Sequence, residues 1–320
     1  MLDRAKSKAN EFQRSHAPLA FSYGVLKKFG EDRAGQQAAL LAYYGFFSLF
    51  PLLLFAVTIL GIVLHGDAKL QQRVLHSALS QFPIIGDQLQ HNVGALSRSG
   101  VALVIGLAGA LWAGLAGIKA MQNAMNLIWD VPMRREPGAL KQITKAVVIF
   151  VVLGAFVIVS TALTGMGAGS HGHHLVLRLV TLPACLILDV VVFVVSFKIL
   201  TVADVSWSDV APGAVVGGVA WFVLQAVGNF YVARTLKNAS ALYGFFGIVI
   251  GLLSWMYLTA QVSILAAEIN VVRKGHLWPR SLTPDDLTDV DRRALRRHAA
   301  YEERVTGETV DASFTARRSA

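Results

Sequence analysis

The sequence predicts an all-α integral membrane bundle of six transmembrane helices with additional amphipathic surface helices. Hydrophobic residues make up 54% of the chain and charged residues 15%, whereas a soluble domain has about 25% charged residues. The apolar residues are gathered into six segments, and each reaches the length of about 20 helical residues that crosses a bilayer core of roughly 30 Å. These segments lie at 38–64, 100–120, 144–165, 175–198, 210–232 and 244–270.

The basic residues between the apolar segments lie mostly on one side of the predicted bundle. Of the 29 Lys and Arg residues, 23 fall in one set of alternate regions, at 1–37, 119–145, 198–209 and 271–320. Basic connections remain on the cytoplasmic side of a membrane, so both termini are predicted to be cytoplasmic. The net charge of +9 then reflects orientation and contact with membrane lipids, and we expect no nucleic-acid partner.

Three regions differ in character from the transmembrane domain, which is predicted at 38–272. Residues 1–37 form a basic N-terminal segment, in which 18–33 has the pattern of an amphipathic helix that could rest in the headgroup layer or pack on the end of the bundle. Apolar residues at helical spacing in 68–97 predict two short amphipathic helices on the outer face. Residues 273–320 predict a charged, largely disordered cytoplasmic tail with one helical stretch.

Small residues recur at four-residue spacing in several apolar segments. Examples are Gly213 with Gly217 and Gly247 with Gly251. This spacing lets helix backbones approach closely in lipid, where packing rather than water exclusion holds helices together. It predicts tight helix packing, and it fits a closed bundle as well as a homo-oligomer.

Pro51 and Asp189 interrupt otherwise apolar segments. Pro51 lies midway along the first segment, where it removes one backbone hydrogen bond and predicts a kink that could shape a cavity or be neutral. Asp189 lies near the middle of the run Leu179–Leu200. Because an ionised carboxylate facing lipid costs at least about 2.5 kcal/mol, we expect Asp189 to face the bundle interior. There it would be a proton or substrate site, or a buried acid hydrogen-bonded to a neighbouring helix.

Other polar residues lie within or beside the apolar segments. They could line a polar cavity that opens to the inner side, or they could join helices through hydrogen bonds worth about 0.6 kcal/mol each. Their spacing does not choose between these roles. The residues are Arg33, Asn123, Asn126, Gln225, Asn229 and Glu268.

The sequence contains no recognised catalytic motif, so we expect no enzyme activity, no cofactor and no metal centre. The turn that holds His171, His173 and His174 has no acidic residue beside it, which favours weak adventitious metal contact over a specific site. Cys185 is the sole cysteine, so the chain cannot form an internal disulfide.

Several of these residues together resemble the YihY/BrkB family of bacterial inner-membrane proteins, once labelled ribonuclease BN. The resemblance covers about residues 20–272, and one departure is Ala266 where the family usually has glycine. The matching residues are Arg33, 38–44 with Tyr43, 48–52 with Pro51, Trp112, Asn123, 126–129, 212–214, Tyr231, Tyr243, Gly244, Trp255 and Glu268 to Asn270.

The resemblance implies six transmembrane helices in the bacterial inner membrane and a role in the cell envelope. It favours a transporter or a flippase-like protein for lipids or small molecules with an interior polar cavity. A structural or assembly factor that docks through its tail is the alternative. A ribonuclease is less favoured, because the histidine turn is predicted outside and the acids inside are scattered.

Overall fold

The computed structural model describes residues 2–63, 100–168, 174–231, 237–283 and 286–314. Within these ranges the chain is helical, with turns and a short 3-10 segment at Met133–Arg135, and no strand is present among them. The all-α class predicted from the sequence is therefore confirmed. The outer helices predicted at 68–97 lie outside the described residues.

Nine α-helices are formed by the described residues. The six longest, α3 to α8, coincide with the six apolar segments of the sequence. The helices are α1 (Leu2–Ser15), α2 (Ala17–Glu31), α3 (Ala34–Val63), α4 (Gly100–Ile128), α5 (Ala139–Ala168), α6 (His174–Leu200), α7 (Trp207–Tyr231), α8 (Lys237–Gly275) and α9 (Asp289–Tyr301).

Three of the long helices contain stretches that are long and apolar enough to cross a membrane, as judged from the described residues. These are Leu179–Leu200 in α6, Trp207–Gly228 in α7 and Val249–Gly275 in α8. Large apolar side chains such as Trp112 and Phe246 are mostly exposed, as expected where lipid rather than protein covers a helix. These features indicate a membrane protein, while the full count of six transmembrane helices stays a prediction.

The bundle is built from closely packed pairs of long helices. α3 packs along α4, α6 packs along α7, and α8 lies against both α3 and α7. α5 completes the bundle by packing mainly on α6. The arrangement leaves looser packing between α4 and the pair α5 and α6, which is where a cavity forms.

Glycine residues bring α7 and α8 into close contact. A Cβ atom at Gly213 would collide with the carbonyl oxygen of Ala266 and with the side chain of Asn270. The Gly213 N–H instead donates a hydrogen bond to Asn270 Oδ1 at 2.7 Å. Gly217 likewise faces Ala266 and the ring of Phe193. The tight packing predicted from the spacing of these two glycines is therefore confirmed.

The amphipathic helix near the N-terminus packs on the end of the bundle. α2 buries Ala20, Gly24 and Val25 and contacts α8. A Cβ atom at Gly24 would lie 3.0 Å from the carbonyl oxygen of Leu277, so α2 also touches the segment that follows α8. Of the two arrangements that the sequence allows for residues 18–33, packing on the bundle is the one observed.

The C-terminal segment is more ordered than the sequence predicts. Instead of a largely disordered tail across 273–320, residues 276–283 and α9 pack on the bundle, and Leu277 and Arg280 are fully buried. Arg280 Nη2 lies 2.6 Å from Glu31 Oε1, and its Nε lies 2.5 Å from Asp291 Oδ1. The segment folds because its charges have partners elsewhere in the chain, although its own apolar surface is small.

Substitution of Gly213 by alanine should destabilise the bundle by about 1–3 kcal/mol, because the added methyl group forces α7 and α8 apart. The measurement is the thermal unfolding midpoint of the detergent-solubilised protein. Gly154→Ala in α5 is the matched control, since no atom lies within 4 Å of a Cβ there. We expect this control to be neutral or stabilising. Equal midpoints for Gly213→Ala and the wild type would contradict the close contact.

Candidate functional site

A partly open cavity of about 350 Å³ lies between α4, α5, α6, α7 and α8. Apolar side chains form most of its wall, and a few polar groups interrupt them. Its size falls in the range of small-molecule sites, which span about 300–1,000 Å³. The lining residues are Gly117, Ile118, Met121, Ile149, Leu153, Phe156, Asp189, Val192, Phe193, Ser196, Phe197, Leu200, Trp221, Thr259 and Ser263.

Asp189 is the charged residue of this cavity wall. It lies on α6 with 8% of its surface exposed. In the described part of the chain, no cation or hydrogen-bond donor reaches its carboxylate. The hydroxyls of Thr259 and Ser263 donate to backbone carbonyl groups of their own helix at 2.9 Å, so their oxygens remain acceptors. The cavity therefore offers acceptors inside an apolar wall, which suits a ligand with one cationic or donor group.

A second polar feature lies where α2, α4 and α8 meet. This feature, called here the buried charge cluster, consists of Lys28, Asp32, Asp130, Glu268 and His298. Lys28 Nζ lies 2.6 Å from Asp32 Oδ2 and 3.5 Å from Asp130 Oδ1. His298 Nδ1, from α9, lies 3.5 Å from Asp32 Oδ1 and 3.4 Å from Asp130 Oδ1. All members except His298 are buried.

The protonation of the cluster reflects its burial and its excess of carboxyl groups. Burial alone would lower the pKa of the Lys28 ammonium, but Glu268, Asp130 and Asp32 outweigh it and raise that pKa above its usual value. Burial raises the pKa of the Asp32 carboxyl more than Lys28 lowers it. The hydrogen bond to Asp130 raises the pKa of His298. All three shifts favour the protonated forms, which reduces the net negative charge of the buried carboxyl groups.

Asp130 is held in an uncommon backbone conformation. It lies in the turn that follows α4 and has a φ of 51°, in the left-handed region where glycine is the usual residue. The Val131 N–H donates to the carbonyl oxygen of Asn126 at 2.9 Å, which closes the turn. An aspartate accepts this conformation better than most residues. Its carboxylate is thereby directed back towards Lys28 instead of away from the bundle.

A neighbouring ion group attaches the C-terminal segment. Asp291 accepts from Arg280 and, at 2.8 Å, from Lys27 Nζ. The Thr288 side chain caps α9 by accepting from the Asp291 backbone N–H at 3.0 Å. Burial alone would raise the pKa of the Asp291 carboxyl, but hydrogen bonds from Arg280, Lys27 and Thr288 outweigh it and hold that pKa well below its usual range.

Residues 25–283 match the family described as virulence factor BrkB. The chain belongs to the BrkB family. The match includes the cavity, Lys28, Asp32, Asp130 and Glu268, and it ends before α9 and its His298. The family resemblance recognised from the sequence motifs is therefore confirmed.

Known relatives of this BrkB-family chain are distant but cover most of it. A Bacillus subtilis (strain 168) protein named ribonuclease-like protein YfkH is 28% identical over 284 residues, which cover 84% of this chain and 98% of that protein. A UPF0761 membrane protein of Ralstonia nicotianae is 26% identical, over 81% of this chain. One of Stenotrophomonas maltophilia (strain K279a) is 23% identical, over 84%.

The coverage of these relatives differs. The chain spans 60% of the length of the Ralstonia protein and 62% of the Stenotrophomonas protein, and both are named as membrane proteins. No solved structure is significantly similar to this chain. Together with the apolar helices α6, α7 and α8, these relatives show that the BrkB-family chain is a membrane protein.

The structure does not gather the predicted polar residues around one cavity. Asp189 lines the cavity, whereas Asn126 and Glu268 are buried nearer the end of the bundle. Among the other predicted cavity residues, Arg33 and Asn123 are exposed, Gln225 is half-buried in α7, and Asn229 lies in α7 with only its backbone described.

The described side chains of the family-motif residues are divided between the interior of the bundle and its outer surface. Trp255 and Asn270 are buried on α8, whereas Tyr43 and Trp112 are exposed on α3 and α4. For the remaining ones the structure describes a helical backbone without side-chain surroundings, and the kink at Pro51 stays a prediction. These residues are Pro51, Tyr231, Tyr243 and Gly244.

Glu268 is predicted from the sequence as a candidate site residue, but the other members of the buried charge cluster are not. Lys28 and Asp32 are four residues apart, a spacing that brings side chains together at a helix end. Thr288 followed by Asp291 has the spacing of a capping box, which the structure shows. These two local signals could have located α9 and one part of the cluster. Nothing local indicates that Asp130 and His298 meet Lys28.

Replacement of Lys28 by methionine should destabilise the protein by about 3–5 kcal/mol, because it leaves the cluster's carboxylates without their buried cation. The measurement is the thermal unfolding midpoint in detergent at neutral pH. Lys141→Met is the control, since Lys141 is exposed. If both variants unfold at the wild-type temperature, Lys28 does not compensate these charges.

Attachment of α9 should weaken as the pH falls below about 4, the usual pKa of an aspartate. The lowered pKa of Asp291 means that its stabilising contribution is complete above that value and is lost as the carboxylate takes up a proton. Hydrogen exchange of residues 289–301, followed from pH 6 to pH 3, measures the effect. Asp291→Asn should show fast exchange throughout, whereas Asp204→Asn, at an exposed residue outside the C-terminal segment, should follow the wild type.

Proposed function

We propose that this BrkB-family protein is a membrane transporter that binds a small, mainly apolar molecule with one cationic group in the cavity beside Asp189. The observation that supports the proposal most directly is a carboxylate in an apolar cavity, without a cation or donor among the described residues. Ionisable residues inside membrane segments are costly, and they mark substrate or proton pathways by default. A cationic ligand would offset the cost of burying this carboxylate.

The composition of the cavity wall supports this substrate class. The apolar residues of α4, α5 and α6 suit a hydrophobic body, and Ser196, Thr259 and Ser263 add hydroxyl oxygens to the same wall as Asp189. An amine or quaternary ammonium group would bind the carboxylate, while the rest of the molecule would contact the apolar wall. The same chemistry would accept the amino headgroup of a phospholipid, which is the flippase form of the proposal.

The proposal includes a location in the bacterial inner membrane with both termini in the cytoplasm. The one-sided distribution of Lys and Arg residues supports this orientation. A homo-oligomer is compatible with the proposal, since the apolar outer faces of the long helices would accept either lipid or another copy. Lipids are its expected surroundings, and nucleic acid is not an expected partner.

The protein is proposed to act without enzymatic chemistry. The ribonuclease-like name belongs to the Bacillus relative. In this chain the Asp32 and Asp130 side chains are 1% and 3% exposed, so an RNA phosphate could not reach them. An assembly factor that docks through its tail also has less support, because α9 packs on its own bundle instead of extending from it.

Transport can be tested with proteoliposomes and radiolabelled benzyltrimethylammonium, an apolar ring with a permanent charge that crosses lipid slowly. Wild-type vesicles should take up this probe faster than empty vesicles. Asp189→Asn should lower uptake by about tenfold or more, since a tenfold loss corresponds to only 1.4 kcal/mol of binding free energy. Asp189→Glu should retain part of the activity.

Asp311→Asn, a charge removal at an exposed site, is the matched control and should transport at the wild-type rate. Equal uptake by the wild type and Asp189→Asn would contradict the role of Asp189. Movement of an acyl-chain-labelled phosphatidylethanolamine, which keeps its free amino headgroup, without uptake of the free ammonium probe, would support the flippase form instead.

A further inference from the structure

Three metal-ligand atoms converge within the buried charge cluster. Asp32, Asp130 and His298 each offer one ligand atom, and these atoms all lie within 4.8 Å of one another. The Nδ1 atom of His298 is near the Oδ1 atoms of both Asp32 and Asp130. The histidine nitrogen is 3.5 Å from the first oxygen and 3.4 Å from the second. Ligands bound to one metal ion at about 2.0–2.1 Å, with tetrahedral or octahedral angles, are roughly 3.0–3.4 Å apart. The two separations from the histidine nitrogen are therefore close to those of a coordinated ion, and the two carboxylate oxygens lie near enough for a small movement to bring them onto it.

One of these ligand atoms lacks an N–H donor. The Asp32 side chain is buried, and no N–H group among the described residues donates to its Oδ1 atom. The Asp32 carboxyl group also contacts that of Glu268, and the two can share a hydrogen bond only when one of them is protonated. Lys28 is bound to the other oxygen, Oδ2, at 2.6 Å. A buried oxygen without a donor is costly. Asp32 Oδ1 faces His298, which is the position where a cation would satisfy it.

The charges of the cluster also favour a divalent cation. Asp32, Asp130 and Glu268 contribute three negative charges when ionised, and Lys28 contributes one positive charge. No N–H group among the described residues donates to either oxygen of the buried Glu268, whose carboxyl group contacts that of Asp32. With all three carboxyl groups ionised and His298 neutral, the cluster has an excess of two negative charges, which bound protons offset when no metal is present. One divalent ion would take the place of these protons, and Lys28 would keep its contact with Asp32 Oδ2.

We propose that Asp32, Asp130 and His298 bind one divalent transition-metal ion that fastens α9 to the bundle. Two carboxylates and one imidazole suit ions such as Zn²⁺ or Mn²⁺ better than the soft ions that prefer sulfur. Three protein ligands leave a coordination position for water. The His298 side chain is 38% exposed, so a small ion can enter beside it although larger ligands cannot. The ion joins the α2–α3 junction, the end of α4 and α9.

Zn²⁺ binding by the purified full-length protein, without a histidine tag, tests the proposal. Calorimetric titration should show one Zn²⁺ per chain after His171, His173 and His174 are replaced by asparagine to remove the outer histidine turn. His298→Gln in this background should weaken binding by about tenfold or more. His276→Gln is the matched control, because His276 is also an exposed histidine of the C-terminal segment, and it should bind as before.

Two further measurements distinguish coordination from a purely structural effect. Co²⁺ in place of Zn²⁺ should give visible absorption bands that change in His298→Gln and in Asp130→Asn. Zn²⁺ should also slow hydrogen exchange of residues 289–301 in the wild type and not in His298→Gln. Absence of stoichiometric binding, or equal binding by wild type and His298→Gln, would overturn the proposal. Zn²⁺ binding that leaves the exchange of α9 unchanged would overturn the fastening role.

Discussion

Compensation of buried carboxylates by Lys28 is the interaction on which one end of the bundle depends. Its ammonium lies beside Asp32 and Asp130, and Glu268 is the strongest opposing charge that it experiences. A carboxylate buried alone would cost several kcal/mol, so the junction after α2, the end of α4 and α8 can meet only around a shared cation. The C-terminal segment is attached at the same end by a second buried cation, Arg280.

The two polar features of the bundle differ in what balances their charge. The buried charge cluster contains one cation of its own, Lys28, and protons or the proposed metal ion balance its remaining carboxyl groups. Its members come from four separate parts of the chain, which is typical of a group that holds a fold together. Asp189 has neither a cation nor a donor among the described residues, and it lies in a cavity instead of a packed contact. A buried charge that the fold itself does not balance is better explained by a ligand or a proton than by stability.

The features that follow from the sequence are local, and those that do not are contacts between distant residues. The long helices are predictable because a run of about 20 apolar residues is enough to predict a membrane-spanning helix. Asp189 is recognisable because it is a charged residue within such a run. Lys28 and Glu268 lie at opposite ends of the chain, and each alone resembles an ordinary charge at a helix end. The order of the C-terminal segment is not predicted because its amino-acid composition reports only the apolar surface of the segment itself. Leu277 and Arg280 are instead buried against α2, a distant part of the chain.

The cavity and the cluster are connected through α8. Ser263 lines the cavity, and Glu268 follows it by five residues, a rise of about 7.5 Å along the helix. Separation of Glu268 from Lys28 would leave a buried charge without compensation, at a cost of about 3–5 kcal/mol. α8 is therefore anchored at this end of the bundle, and helix movements that open the cavity should be largest at the other end. In a transport cycle, the cluster would be the fixed point about which α8 tilts, and access to Asp189 would change at the end away from it.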